Sequence, residues 1–262
     1  MVRAIAQPTA GHLETAMHPI PDTKAYQRDG FLHLPALYAP GAVAAWQAEC
    51  DRLLASDLVH PDNGRTPFRM QASRNPERID PVVDISPVFQ SLAADRRLIE
   101  TVALLLGEQP RLFKDKLLLK DPGVAGYRMH QDWAWGWQDL CPADDICSVS
   151  IQIDGADPEN GAITLFSGYH GSLLTPAGEA RNFRDQEIAG IDPARGRIMH
   201  TAPGDVLLFH ALTPHRSGPN RSDRTRRSLY LTYHAARHGD LRTQYYERYR
   251  SDRAYQNGGY FK

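Results

Sequence analysis

The spacing of apolar positions along this chain changes near residue 107. Before it the pattern is helical. Residues 24–30 read as a short helix stopped by a glycine, and Phe31-Leu-His-Leu-Pro35 follows as a short strand. From Pro40 to Ser56, Val43, Trp46, Cys50, Leu53 and Leu54 recur at helical intervals, with Pro40 where a first turn tolerates it. Residues 87–107 predict one or two more helices, with Leu98, Val102, Leu105 and Leu106 on one side. After Gly107 the period shortens. Strands are predicted over 111–120, 127–132, 147–154, 162–166, 197–200, 205–209 and 228–235. Turns such as Asp157-Pro-Glu-Asn-Gly161 and Ala202-Pro-Gly204 separate them.

Short strands at this spacing predict a mainly β sandwich or barrel with the earlier helices packed outside. One domain over 1–262 is expected: a poorly ordered lead-in at 1–22, a mostly helical part at 23–107, the β core at 108–238 and a C-terminal segment at 239–262. That last segment is polar and Tyr-rich, and reads as a helix followed by a tail. Residues 57–85 form a long polar loop, of a length that usually serves function. Its Arg-rich part, 65–78, suits a lid over an anionic substrate, although ordinary surface charge explains it equally well.

Composition narrows the classes. A chain of 262 residues that is 42% hydrophobic and 23% charged can bury a sizeable core. The net charge is −1 and the one basic run is 221–227, so nucleic acid is not an expected partner. No apolar stretch approaches the roughly 20 residues that span a bilayer, so no membrane association is expected. Pro8, Gly11, His12 and Glu14 break up any signal-peptide core. Cys50, Cys141 and Cys147 lack the spacing of a zinc or redox pair, and a reducing cytoplasm is the expected location. The oligomeric state is not legible.

The candidate chemistry lies in His130, Asp132 and His215. The pattern His-x-Asp/Glu occurs four times, at His12/Glu14, His60/Asp62, His130/Asp132 and His238/Asp240. Only the third follows an apolar run, Leu117-Leu-Leu119, and has aromatic neighbours. Side chains at i and i+2 of a strand share a face, so His130 and Asp132 are expected to project together. His215 comes 85 positions later (215 − 130), after Pro203-Gly-Asp-Val-Leu-Leu-Phe209. Two imidazoles and one carboxylate can cover one face of an octahedral metal and leave the other open, the donor set of non-haem Fe(II) oxygenases. His210 is the rival distal ligand; His200 and His234 read as ordinary structural histidines.

These residues resemble the phytanoyl-CoA dioxygenase-like family of Fe(II)/2-oxoglutarate oxygenases, over most of the chain. Tyr26-Gln-Arg-Asp-Gly-Phe-Leu-His-Leu-Pro35 is similar to the family's opening, and Leu104-Leu-Leu-Gly107 to the helix end before its first core strand. Asn160-Gly161 and Ser167-Gly-Tyr-His-Gly-Ser172 resemble its turn and Pro-Gly-Ser-His-like segment, with Ser167 in place of the usual Pro. The most specific match is His215-Arg-Ser-Gly-Pro-Asn-Arg-Ser-Asp-Arg-Thr-Arg-Arg227.

The resemblance implies a double-stranded β-helix, or cupin-like jelly roll, with Fe(II), 2-oxoglutarate and O2 as cofactor and cosubstrates. His130, Asp132 and His215 would be the iron ligands. Arg226 best fits the family's Arg for the distal carboxylate of 2-oxoglutarate, with Arg227 as the neighbour it could be confused with; Ser217 and Thr164 are candidate hydroxyl partners. The resemblance implies release of succinate and CO2 with oxidation of a C–H bond of a small metabolite. Hydroxylation is the expected outcome, because related halogenases have a small residue where Asp132 stands. Trp133 and Trp135, with Trp137, could form a substrate wall or a cation–π surface, or could pack as core or lid. Two rival readings stay open: a cupin-like metal enzyme that is not an oxygenase, and a non-catalytic sensor of metal or 2-oxoglutarate.

Overall fold

Local signals in the chain punctuate its helical half. Asp22 caps the first helix, α1 (Thr23–Asp29), by accepting from the Ala25 N–H, and Gly30 ends it at φ 84°. Gly30 also lies so close to His170 and Thr213 that a Cβ would come within 2.7 Å of both. Strand β1 (Phe31–Leu34) and helix α2 (Pro40–Leu54) follow, Pro40 opening the latter. Ser86 and Asp95 cap α3 (Pro87–Ala93) and α4 (Arg96–Leu106). A two-residue strand, β2 (Arg78–Ile79), interrupts the expected loop before them.

The β half comprises β3 (Pro110–Lys120), β4 (Ile146–Gln152), β5 (Ile163–Phe166), the short helix α5 (Asp185–Ala189), β6 (Gly196–Ile198), β7 (Val206–His210), β8 (His215–Ser217) and β9 (Arg226–Ala235), with helix α6 (Leu241–Ser251) closing the order. This computed structural model describes residues 21–59, 71 and 75–251. Expectations for 1–20, 60–70, 72–74 and 252–262 lie outside the described residues. They include most of the lead-in, much of the Arg-rich loop, the tail and the pairs His12/Glu14 and His60/Asp62.

The strands form two antiparallel sheets, one of six in the order β1-β7-β4-β9-β3-β2 and one of three in the order β6-β5-β8. This is the expected jelly roll. Alternation assigns each face of the larger sheet. Outward go Leu117, Leu119, Val149, Ile151, Val206, Leu208, Leu229, Leu231 and Tyr233, which pack with Trp46, Leu53, Phe89, Leu98 and Val102 of the helices into the main core. Inward, Leu207 and Phe209 meet Ile163 and Leu165 of the smaller sheet.

The remaining inward positions are mostly polar. Register places Lys114, Lys116, Leu118 and Lys120 of β3 opposite Thr232, Tyr230, Ser228 and Arg226 of β9, and Ser148, Ser150 and Gln152 of β4 continue that face. Burying such a row is costly unless its members are hydrogen-bonded or face a ligand, and Lys120, Ser150, Gln152 and Ser228 have protein partners. Lys114, Lys116, Leu118, Ser148, Arg226, Tyr230 and Thr232 of this face line a cavity of about 780 Å³ between the sheets, a volume usual for small-molecule sites.

One predicted strand, 127–132, does not form. The chain there is extended but touches β8 only intermittently: a single bridge joins His130 to His215, and Tyr127 and Ser217 exchange further bonds. The approach is close at Gly126, where a Cβ would lie 1.9 Å from the Ser217 carbonyl oxygen. From Asp132 the backbone turns into a single 3-10 turn, Asp132–Ala134.

Candidate metal centre

His130 and Asp132 point to one side even without a regular strand, because the residue between them is anchored on the other. Gln131, fully buried, donates through Nε2 to the carbonyls of Leu212 (2.6 Å) and Ser172 (2.8 Å) and accepts from the Leu174 N–H (2.8 Å). His130 and His215 exchange two backbone hydrogen bonds of 3.0 Å each. Their rings lie 4.2 Å apart between centroids. His130 Nε2 is 3.6 Å and His215 Nε2 3.8 Å from Asp132 Oδ1. All three ligand atoms lie within 4.8 Å of one another.

The second nitrogen of each ring is committed elsewhere. His130 Nδ1 sits 2.7 Å from the Arg128 carbonyl and His215 Nδ1 2.9 Å from the Thr213 carbonyl. Each Nδ1–H can only donate there, which leaves each Nε2 with its lone pair toward Asp132. Asp132 Oδ2 accepts from Ser148 Oγ at 3.2 Å, and Oδ1 faces the imidazoles. Divalent metals bind imidazole nitrogen and carboxylate oxygen at about 2.0–2.2 Å, so donors this far apart can share one ion. Neutral imidazole and ionised carboxylate are also the protonation states that ligands need. Burial and the neighbouring His130 push the His215 imidazole down to about 4. Burial alone would raise the Asp132 carboxyl, but His215, His130 and Lys116 hold it well below the usual carboxylate range.

The other histidine candidates are occupied elsewhere. His210 Nε2 pairs with Asp144 at 3.1 Å and its Nδ1 accepts from the Leu212 N–H. His238 pairs with Asp145 at 2.6 Å. His200 lies in a separate shallow pocket, and His234 is buried beside Phe113.

Alternation separates the two candidate arginines. Arg226 is 2% exposed and lines the cavity. Its Nε has no hydrogen-bond partner among the described residues. Arg227 faces outward, forked onto Asp154 at 2.7 and 2.8 Å and reaching Asp51 at 2.8 Å. Ser217 lines the cavity near Arg226, and its Oγ accepts from Lys120 Nζ (2.9 Å) and the Tyr127 N–H (3.1 Å). With both lone pairs engaged, its own proton remains to be given to an anion.

Thr164 does not join this group. Its strand turns Ile163 into the cavity, while Thr164, in register with the exposed Ile198 and with Arg216, is not among the residues that line it. The tryptophans also divide. Trp135 lines the cavity with its ring edge-on to His130, and Trp137 lines it against Phe113. Trp133 turns away, donating from Nε1 to the Cys141 carbonyl at 2.9 Å and packing in a second core cluster. The turn at Asp132 breaks the alternation that would have grouped Trp133 with Trp135.

Sequence reasoning missed the lysines. Lys120, 1% exposed, donates to Ser217 Oγ and to the Gly218 carbonyl (2.6 Å) beside its register partner Arg226. Burial, then the Arg226 charge, pushes its ammonium down to about 7. Lys114 and Lys116 line the same wall. The signal was present in Lys114-Asp-Lys-Leu-Leu-Leu-Lys120, with cations at period two inside a predicted strand.

A family model described as phytanoyl-CoA dioxygenase (PhyH) matches residues 26–228. Methylphosphonate hydroxylase of Gimesia maris is 33% identical over 208 residues, covering 78% of this chain and 72% of the relative. Ectoine dioxygenase of Streptomyces anulatus is 27% identical over 231 residues, covering 82% and 77%. Among solved structures, EctD from S. alaskensis with bound Fe superposes with a TM-score of 0.73 at 26% identity, over 82% of this chain and 76% of that one.

Proposed function

We infer the roles of individual residues from the premise that this chain belongs to the phytanoyl-CoA dioxygenase (PhyH) family. It is an iron- and 2-oxoglutarate-dependent dioxygenase acting on a small molecule. That membership displaces the readings of a non-oxygenase cupin and of a non-catalytic sensor. The proposal takes the chain as one catalytic domain in which His130, Asp132 and His215 hold the iron. The observation that carries it is the convergence of two Nε2 lone pairs and one carboxylate oxygen on a cavity floor, each ring pinned by its other nitrogen.

Bound together, iron, 2-oxoglutarate and O2 supply the oxidising chemistry, releasing succinate and CO2 as a C–H bond of the substrate is oxidised. Arg226 and the Ser217 hydroxyl take the distal carboxylate of 2-oxoglutarate, the planar guanidinium fork matching its two oxygens. Lys120 adds positive charge at that end and holds Ser217 in place. Trp135 and Trp137 wall the cavity and keep water from the reacting bond. Asp132 fills the ligand position that halogen chemistry would need, so hydroxylation is the proposed outcome. The substrate is proposed to be a small polar metabolite, on the scale of the phosphonate and ectoine in the relatives' names. Three buried free cysteines agree with a reducing, cytoplasmic setting. No described helix is long and apolar enough to cross a membrane.

The direct test is anoxic addition of Fe(II) and then 2-oxoglutarate to metal-free protein. A visible charge-transfer band requiring both additions, and lost in His215→Ala, is the expected result. Tight metal binding without any band on adding 2-oxoglutarate would refute the proposed cosubstrate site.

A further inference from the structure

The two oxygens of the Asp132 carboxylate have different surroundings. Oδ1 faces both imidazoles, 3.6 Å from His130 Nε2 and 3.8 Å from His215 Nε2. Oδ2 instead accepts from Ser148 Oγ at 3.2 Å.

The partners in that bond belong to unlike parts of the fold. Asp132 opens a single 3-10 turn at the end of an irregular passage. Ser148 lies within β4, paired with Phe209 of β7 on one side and Thr232 of β9 on the other. It is buried and lines the cavity. With strands on both flanks, its backbone is fixed by the larger sheet and not by the segment that carries the metal ligands.

Among the described residues the Ser148 hydroxyl makes no other hydrogen bond. Ser150, the next residue on the same face, behaves differently: its Oγ accepts from Gln152 Nε2 at 2.8 Å, inside its own strand. A buried hydroxyl needs a partner. Ser150 finds one in the sheet, whereas Ser148 finds one in a metal ligand.

The count of coordination positions gives this bond a consequence. A carboxylate can bind an ion through one oxygen or through both. Two imidazoles and one carboxylate oxygen leave half of an octahedral ion open. In the function proposed above, the keto acid end of 2-oxoglutarate takes two of those positions and O2 the last. A carboxylate bound through both oxygens would fill that last position. To do so here, Oδ2 would have to leave Ser148 and strand a buried donor.

We propose that Ser148 is a positioning residue that holds Asp132 to one-oxygen coordination and so keeps a metal position open for O2. The assignment rests on the function proposed above and adds a residue outside the ligand set that governs access to the metal.

Nitric oxide is a suitable probe, because it occupies an O2 position on Fe(II) without turnover and gives the iron a spin signal. Protein loaded anoxically with Fe(II) and 2-oxoglutarate is titrated with it and followed by electron spin resonance. Ser148→Ala and Ser148→Val should each need about tenfold to a hundredfold more nitric oxide than wild type, while Fe(II) affinity stays within a few-fold. Ser148→Thr has the shape of the Val variant but keeps the hydroxyl, and should bind nitric oxide as wild type does. Ser150→Ala, which removes a buried hydroxyl that touches no ligand, should do the same. The Val variant carries the test if the Ala variant does not fold. Unchanged nitric oxide affinity in the Ala and Val variants, or a loss in Thr equal to that in Val, overturns the inference. So does a fall in Fe(II) affinity with nitric oxide binding to the loaded protein intact, since Ser148 would then only support the ligand. Failure of the functional reading would appear earlier, as absence of the iron–2-oxoglutarate band in the wild type.

Discussion

Arg226 and Arg227 share a chemistry and a neighbourhood in sequence, yet strand alternation sends one into the cavity and the other onto Asp154. Arg226→Ala should raise the KM for 2-oxoglutarate about tenfold to a hundredfold, the worth of a charge-assisted pair. Arg227→Ala should leave that KM alone and lower the melting temperature; steady-state kinetics with a thermal melt separates the two. The tryptophans permit a parallel test. Trp135→Ala should raise KM for the primary substrate without altering 2-oxoglutarate binding. Trp133→Phe should preserve both constants and cost about 1 kcal/mol of stability through its lost bond to the Cys141 carbonyl. At this scale His130, Asp132 and His215 were legible because spacing and context isolated them. Thr164 and Trp133 were misplaced because face assignment depends on where a strand begins and stops, which a motif does not record.

Elements with a sustained period were read nearly to their ends. The helix expected from Pro40 to Ser56 spans Pro40–Leu54, and the strand expected over 228–235 spans Arg226–Ala235. Some short elements were read as well, such as Phe31–Leu34 and Ile163–Phe166, but others were not. Strand β8 has three residues, too few to display a period, and the expected strand at 127–132 is a passage held by cross-sheet contacts. That passage depends on one missing side chain. Gly126→Ala would place a methyl 1.9 Å from a main-chain oxygen of β8, so the two segments that carry His130 and His215 must separate. We expect a destabilisation of about 1–3 kcal/mol or more and weakened metal binding, read by denaturant titration and by Fe(II) titration.

For the whole molecule, a mainly β sandwich or barrel followed from the run of short strands after a helical third, and the jelly roll from the family resemblance, but the polar inner face followed from neither. It inverts the usual rule that alternation puts apolar residues inward, and it is satisfied partly by its own hydrogen bonds and partly by facing the cavity. Its charge has a consequence for pH. Lys120 is held near 7 by burial and Arg226, opposed by Glu77, and stands over the Tyr127 ring. Between about 7 and its unfolded value the unfolded chain binds a proton that the folded one lacks, so this group makes stability rise with pH across that window. A bound dianion reverses the preference and returns the proton. Affinity for 2-oxoglutarate should therefore fall as pH rises above about 7. Calorimetry in buffers of different ionisation enthalpy should detect uptake of up to about one proton per 2-oxoglutarate near pH 8–9, abolished in Lys120→Met. Removing iron with a chelator should lower the melting temperature by an amount set by the logarithm of the free metal concentration relative to its dissociation constant.

The paired backbone bonds between His130 and His215 couple the fates of two ligands. Neither segment can fray without releasing the other, so the two belong to one cooperative opening unit. Their amide protons should exchange with deuterium at matching rates, already slow before any ion is added. Iron lost to oxidation or to a competing chelator would then leave a formed socket behind, and the enzyme could be reloaded repeatedly without passing through an unfolded chain.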